Sequence, residues 1–241
     1  MVDCLVLIPT YNEAENVAAI CRAVLDQGER FGVLIIDDDS PDHTGRIADE
    51  LAQEEPRVTV LHRPVKEGLG PAYLAGFAAA LARPEVEFVL TMDADFSHDP
   101  ADLTRLLAAC ENGADLAVGS RYTPGGGVRD WSLVRRLVSR GGGSFARLML
   151  GLTVHDPTAG FTAQKRRVLE AIGLQNIRGS GYGYQIEMKH RIQRLGFFMV
   201  EVPIIFTDRR EGASKMTAGI ALEALVLVLR LAFGSGRGGR L

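Results

Sequence analysis

A chain of 241 residues with 46% hydrophobic content can bury one substantial core, so a single large domain is expected. Its net charge of −3 and pI near 6.0 provide no positive field for a polyanion, and nucleic acid is not expected as a partner. Cys4, Cys21 and Cys110 are scattered, with neither disulfide nor metal-ligand spacing, and fit a reducing cytosol.

The chain enters an apolar run at Leu5–Ile8 without the basic stretch and apolar core of a signal peptide, so export is not expected. Further runs at Val33–Asp37, Val58–Leu61, Phe88–Met92 and Leu116–Val118 read as short strands. Helical spacing fills the intervals at Glu13–Leu25, Thr44–Gln53, Pro71–Leu81 and Pro100–Cys110. That alternation predicts an α/β fold with a mostly parallel central sheet buried on both faces. Right-handed crossovers then gather the strand C-termini at one edge, where open α/β sheets bind their ligands. Each polar cluster follows a strand: Pro9 to Glu13, Asp37 to Ser40, Asp93 to Asp95, and Gly119 to Tyr122.

The second half is less regular. Pro124 to Gly127 reads as a mobile loop, and Gly141, Gly142 and Gly143 predict a kink or break in the segment Leu133–Leu150. A helix is expected near Tyr184–Leu195 and strand near Phe197–Phe206. The apolar stretch Ala218–Phe233 is interrupted by Glu223 and Arg230 and is too short to span a bilayer. The glycine- and arginine-rich residues 234–241 are expected to fray.

Asp93 and Asp95 follow an apolar run, and period-two alternation would point both side chains the same way, toward one shared cation. Carboxylate oxygens suit hard ions such as Mg²⁺ or Mn²⁺, which bridge to substrate phosphates. Asp37, Asp38 and Asp39 can accept from a nucleobase or ribose, or cap the next helix, and both can hold together. Tyr11 can stack on a base, while Asn12 and Glu13 can equally begin the first helix. Lys66 to Gly70 lacks the spacing of a phosphate-binding P-loop. Arg121, Arg135, Arg136 and Arg140 have no adjacent acidic residue to explain them as ion pairs, and Arg209, Arg210 and Lys215 follow within Asp-Arg-Arg-Glu-Gly-Ala-Ser-Lys. Most would serve as solvated surface, yet as a group they can receive a phosphate and stabilise a departing diphosphate.

The ordered series Pro9-Thr10-Tyr11-Asn12-Glu13, Asp37 to Asp42, Leu69-Gly70, Asp93-Ala94-Asp95 and Gly119-Ser120-Arg121-Tyr122 resembles the family-two inverting glycosyltransferases of GT-A fold. Trp131, the segment from Arg135 through Ser139 to Arg140, Asp156 to Phe161, Glu201-Val202-Pro203 and Gly212 to Lys215 resemble dolichol-phosphate mannose synthases within it. The resemblance reaches to about Lys215. It implies a GT-A Rossmann-like catalytic domain over residues 1–217; residues 218–241 read as an apolar helix and flexible basic tail that either lies at the membrane surface or packs on the core. It further implies inverting transfer of mannose from GDP-mannose to a polyprenyl (dolichyl-type) phosphate, on the cytoplasmic face of the membrane. Asp93 and Asp95 would hold Mg²⁺ or Mn²⁺. Pro9, Tyr11, Glu13, Asp38, Asp39 and Ala94 would line the nucleotide pocket. Arg121, Arg135 and Ser139 would bind the acceptor phosphate, while Arg209 and Lys215 would reach the donor diphosphate. Ser97 stands where some relatives carry glutamine. Asp156 tunes the acceptor end, orients an arginine, or forms a turn before Pro157; Gln185 and Glu187 would organise the site. A lipid phosphate is already anionic, so no strong general base is required. Peripheral membrane contact is expected, directly or through an anchoring partner. The competing readings are a polyprenyl-phosphate glucosyltransferase using UDP-glucose and a non-catalytic nucleotide-binding module.

Overall fold

The computed structural model describes residues 2–179, 181–208 and 218–234. The first half alternates as expected: β1 (Cys4–Thr10), α1 (Val17–Leu25), β2 (Phe31–Asp37), α2 (Thr44–Glu54), β3 (Val58–His62), α3 (Leu69–Leu81), β4 (Phe88–Thr91), α4 (Asp102–Glu111) and β5 (Leu116–Ser120). Then follow β6 (Gly127–Arg129), α5 (Leu133–Leu150), β7 (Thr162–Lys165), α6 (Arg166–Ala171), α7 (Gly181–Arg194), β8 (Met199–Pro203), β9 (Ile205–Thr207) and α8 (Ala218–Gly234).

The main sheet runs β3-β2-β1-β4-β7-β5-β8, and only β7 is antiparallel to its neighbours. The two-residue period divides the core between its faces. Cys4, Val6 and Ile8 of β1 pack with α1, α2 and α4, while Leu5 and Leu7 face α3, α6 and α7. Because β1, β2, β4, β5 and β8 run the same way, their C-terminal ends share one edge.

The second half adds a strand that the sequence did not signal and corrects three expectations. Thr162–Lys165 inserts antiparallel between β4 and β5; its mixed composition carries no strand signal, and pairing on both sides holds it. The strand expected near Phe197–Phe206 is two strands in different sheets, β8 beside β5 and β9 beside β6. The chain changes sheets at Ile204, whose N–H goes to Ser120 O and whose carbonyl accepts from Gly127 N. Gly127, expected in a loop, therefore begins a strand. Gly126 before it admits no side chain, since a Cβ would stand 2.4 Å from Ser120 O.

The third correction is α5, which runs unbroken through Gly141 to Gly143. Ser132 caps it, its Oγ accepting from Arg135 N, and burial of Gly143, Ala146 and Leu150 anchors the distal half. Nothing lies within 4 Å of a Cβ built at Gly141 or Gly142. Gly141→Ala and Gly142→Ala are each expected to stabilise the fold by about 1 kcal/mol. Gly126→Ala should instead destabilise by about 1–3 kcal/mol through the backbone clash. Urea unfolding of the three variants checks both signs.

Candidate active site

The loops after β1 and β2 are stitched together by side chains. Asp37 accepts from Thr10 Oγ1 at 3.0 Å and Ser40 Oγ at 2.6 Å, and Ser40 Oγ accepts from Asn12 N–H. Asp42 accepts from Ala14 N–H and Thr44 Oγ1, and Thr44 Oγ1 accepts from Glu13 N–H. Asp37 and Asp42 are therefore structural, and they hold the two loops as one wall.

The wall presents Pro9, Tyr11 and Glu13 from β1 and its loop, with Asp38 and Asp39 opposite. Asp38 is buried and paired with Arg63, whose other amino group meets Glu67. Burial pushes the Asp38 carboxyl up, against the pull of Arg63. Asp39 is exposed in the left-handed region at φ 55°. Lys66 Nζ lies 3.5 Å from the centre of the Tyr11 ring, so a cation covers the face expected to stack on a base.

The acidic motif forms a turn. β4 ends at Thr91, so strand alternation does not orient Asp93 and Asp95 as expected. Asp95 is buried and accepts from Ser97 N–H at 3.0 Å, whereas Asp93 is partly exposed. Between them Ala94 is buried, and Phe96 next to Asp95 is left-handed at φ 57°. That conformation is strained for a bulky side chain and characteristic of ligand-binding turns.

His98 closes the turn and has a structural part that its motif position alone did not reveal. Its ring stacks on Phe161 at 4.8 Å and meets the edge of Phe206 at 5.3 Å. Burial lowers its pKa to about 4 against the pull of Asp95, so the ring is neutral at neutral pH. Nδ1 accepts from Asp93 N–H at 3.4 Å, which leaves the proton on Nε2.

On the other side stand the arginines. Arg121, after β5, is gripped by Asp156: backbone N–H, Nε and Nη2 all donate to that carboxylate, and Nη2 also reaches Thr158 Oγ1. Burial pushes the Asp156 carboxyl up, but the Arg121 charge outweighs it and holds the group below its ordinary 3.8. Arg135 pairs with Asp208 and stacks on Trp131, its Cζ 4.1 Å from the ring centre. Both partners are distant in sequence, Asp156 35 residues from Arg121 and Asp208 73 residues from Arg135. Ser139 Oγ accepts from Tyr122 Oη at 2.8 Å, which brings α5 to the same cluster. Arg209, Arg210 and Lys215 lie outside the described residues.

Two buried groups back this cluster. Glu201 accepts from Asp156 N–H, and Lys189 Nζ donates to Ala159 O at 2.7 Å. Burial brings Lys189 down to about 7 despite the opposing charge of Asp156. Glu187 accepts from the N–H groups of Arg178 and Gly179. Lys189 sits in a mostly polar helix and carried no signal of its burial, and His98 was visible within the motif while its aromatic partners were not.

Oxygen donors suit a hard divalent ion here. Ser97 Oγ is buried two residues from Asp95 and has no hydrogen-bond partner among the described residues, so the turn offers a hydroxyl beside two carboxylates. Among the described residues no three His, Cys, Asp or Glu side chains converge as a metal cage. An ion held here would complete its shell with water and substrate oxygens, as Mg²⁺ commonly does.

The acidic turn and the arginine cluster meet at β9. Thr207 N–H donates to Ser97 O, while the next residue, Asp208, pairs with Arg135. Phe206 bridges the same gap, edge-on to both His98 and Trp131.

The family model described as glycosyl transferase family 2 matches residues 5–173. The chain is 48% identical over 225 residues to the polyprenol monophosphomannose synthase of Mycolicibacterium smegmatis, covering 93% of this chain and 84% of that protein. It is 47% identical over 226 residues to the undecaprenyl-phosphate mannosyltransferase of Micrococcus luteus, covering 94% and 92%. The crystal structure of glucosyl-3-phosphoglycerate synthase from Mycobacterium tuberculosis, in complex with Mn²⁺, UDP and glucosyl-3-phosphoglycerate, superposes with a TM-score of 0.72 at 20% identity. That match covers 97% of this chain and 80% of the other, and it is a likeness of fold.

Proposed function

The chain belongs to glycosyl transferase family 2, with a GT-A fold, and from that premise we propose that it transfers mannose from GDP-mannose to a polyprenyl phosphate with inversion. The names of the two relatives at 47–48% identity support the acceptor and the sugar. The observation that carries the chemistry is the β9 junction, where neighbouring residues hold the acidic turn and Arg135.

In this reading the wall of Pro9, Tyr11, Glu13, Asp38 and Asp39 receives the nucleotide. Asp93 and Asp95 would hold Mg²⁺ or Mn²⁺, whose charge would stabilise the departing diphosphate. Arg121 and Arg135, with Ser139, position the acceptor phosphate, and Arg209 and Lys215 would reach the diphosphate. A phosphate monoester is anionic near neutral pH, so alignment and exclusion of water matter more than proton abstraction. His98 is neutral and buried and serves to brace the turn.

A lipid acceptor requires access to a bilayer surface. No helix of the described residues is long and apolar enough to cross a membrane. α5 instead exposes Leu133, Val134, Leu137, Val138 and Leu148, from 52% to 83%, beside Arg136 and Arg140. α8 packs on α5 and α7 and exposes Leu225, Val226, Leu229 and Phe233. Such a face can bury in the interface while its cations meet anionic headgroups, and α5 starts beside Arg135. Residues 218–241 would add to this contact as an appendage to a catalytic domain over 1–217. The double variant Leu137→Glu, Leu148→Glu should lose sedimentation with anionic vesicles while remaining folded; undiminished sedimentation would remove α5 from the membrane surface.

The activity is tested by transfer of labelled mannose from GDP-mannose to a short polyprenyl phosphate, with and without Mg²⁺ or Mn²⁺. Metal-dependent lipid labelling is expected. Labelling only from UDP-glucose would keep the family and overturn the donor, and nucleotide binding without any transfer would favour a non-catalytic module.

A further inference from the structure

Trp131 is the only tryptophan of the chain and stands immediately before Ser132, the N-cap of α5. It is 8% exposed, and its ring is enclosed by charge and aromatic surface. Arg135 Cζ lies 4.1 Å from the ring centre, Arg121 Cζ 5.5 Å from it, and Phe206 meets it at 74°. Its Nε1–H is inaccessible to solvent and has no hydrogen-bond partner among the described residues.

A buried indole N–H ordinarily finds an acceptor, and leaving it unmade costs more than omitting the donor altogether. Tryptophan is the stronger cation–π partner for Arg135, yet phenylalanine would also offer a ring to Arg135 and Phe206 without stranding a donor. The surroundings define what fits. Two guanidinium groups flank the ring, and the positive end of an 18-residue helix begins beside it. The complementary ligand atom is an anionic oxygen.

We propose that the Trp131 indole N–H donates a hydrogen bond to an oxygen of the acceptor phosphate, beside Arg121 and Arg135. This deepens the proposed function and rests on its reading of the acceptor as a lipid phosphate. The arginines attract the anion, while the indole supplies direction. A phosphate monoester presents three similar oxygens, only one of which can face the sugar. A rigid side chain with two torsions and a single N–H selects among their orientations at little entropic cost.

Because the chain has one tryptophan, a ¹H–¹⁵N spectrum of the full protein contains one indole resonance. Titration with citronellyl phosphate should move the indole proton downfield, and citronellol should not. A matching shift with inorganic phosphate assigns the contact to the phosphate group alone; a shift confined to the lipid phosphate assigns it to phosphate delivered on its chain. Both support the donor. A resonance unmoved at saturating citronellyl phosphate, or moved equally by citronellol, overturns it. In turnover, Trp131→Phe should raise KM for the lipid phosphate about ten-fold, the loss of one hydrogen bond to a charged group. KM for GDP-mannose should not change, and an unchanged lipid KM overturns the inference. If the wild-type chain shows the indole shift but transfers no mannose to the lipid, the proposed activity fails and the indole contact stands.

Discussion

Asp95→Asn is expected to lower mannosyl transfer by roughly 10³-fold while the protein stays folded. The substitution is nearly isosteric, and its carbonyl oxygen can still accept from Ser97 N–H as Asp95 does. What it removes is a formal charge at a buried position beside the Ser97 hydroxyl. An ion held as proposed by Asp93 and Asp95 would lose half its protein charge when one becomes an amide. Several kcal/mol of stabilisation of the leaving diphosphate go with it, at about 1.4 kcal/mol per factor of ten. The variant should also bind Mn²⁺ more weakly in a direct titration while retaining the wild-type unfolding midpoint within a few degrees. Activity within ten-fold of wild type would remove Asp95 from the metal site.

Asp156→Ala should have the largest effect on stability, about 3–5 kcal/mol by urea unfolding. Asp156 is fully buried, and three donors of Arg121 converge on its carboxylate. Alanine leaves the guanidinium buried with only Thr158 Oγ1 from this set, and an uncompensated buried charge costs far more than the pair contributes. The pH dependence follows from the depressed carboxyl. Its contribution is complete above the unfolded value near 3.8 and is lost as pH falls through the lower folded value. The wild type should therefore lose stability on acidification through this range, and the variant should show a shallower loss. In any folded fraction KM for the lipid phosphate should rise more than KM for GDP-mannose if Arg121 positions the acceptor phosphate as proposed. A stability loss below 1 kcal/mol would mean that Arg121 finds another partner.

Sequence alone determined what depends on neighbours along the chain. Short continuous apolar runs between helical stretches imply a mostly parallel sheet, and the polar clusters after β1, β2, β4 and β5 fall at its C-terminal edge because parallel strands end together. Asp93 and Asp95 were legible as a motif for the same reason. Tertiary structure decided whatever depends on distant partners. Arg121 meets Asp156 35 residues away, and Arg135 meets Asp208 73 residues away; no local spacing encodes either pair. Likewise Thr162–Lys165 is a strand only because β4 and β5 leave it a place, and α5 survives its glycines because one end is capped and the other packed. Local periodicity sets which elements form and which edge carries the polar loops, whereas the charge balance of the site is set by contacts that exist only after the sheet has closed.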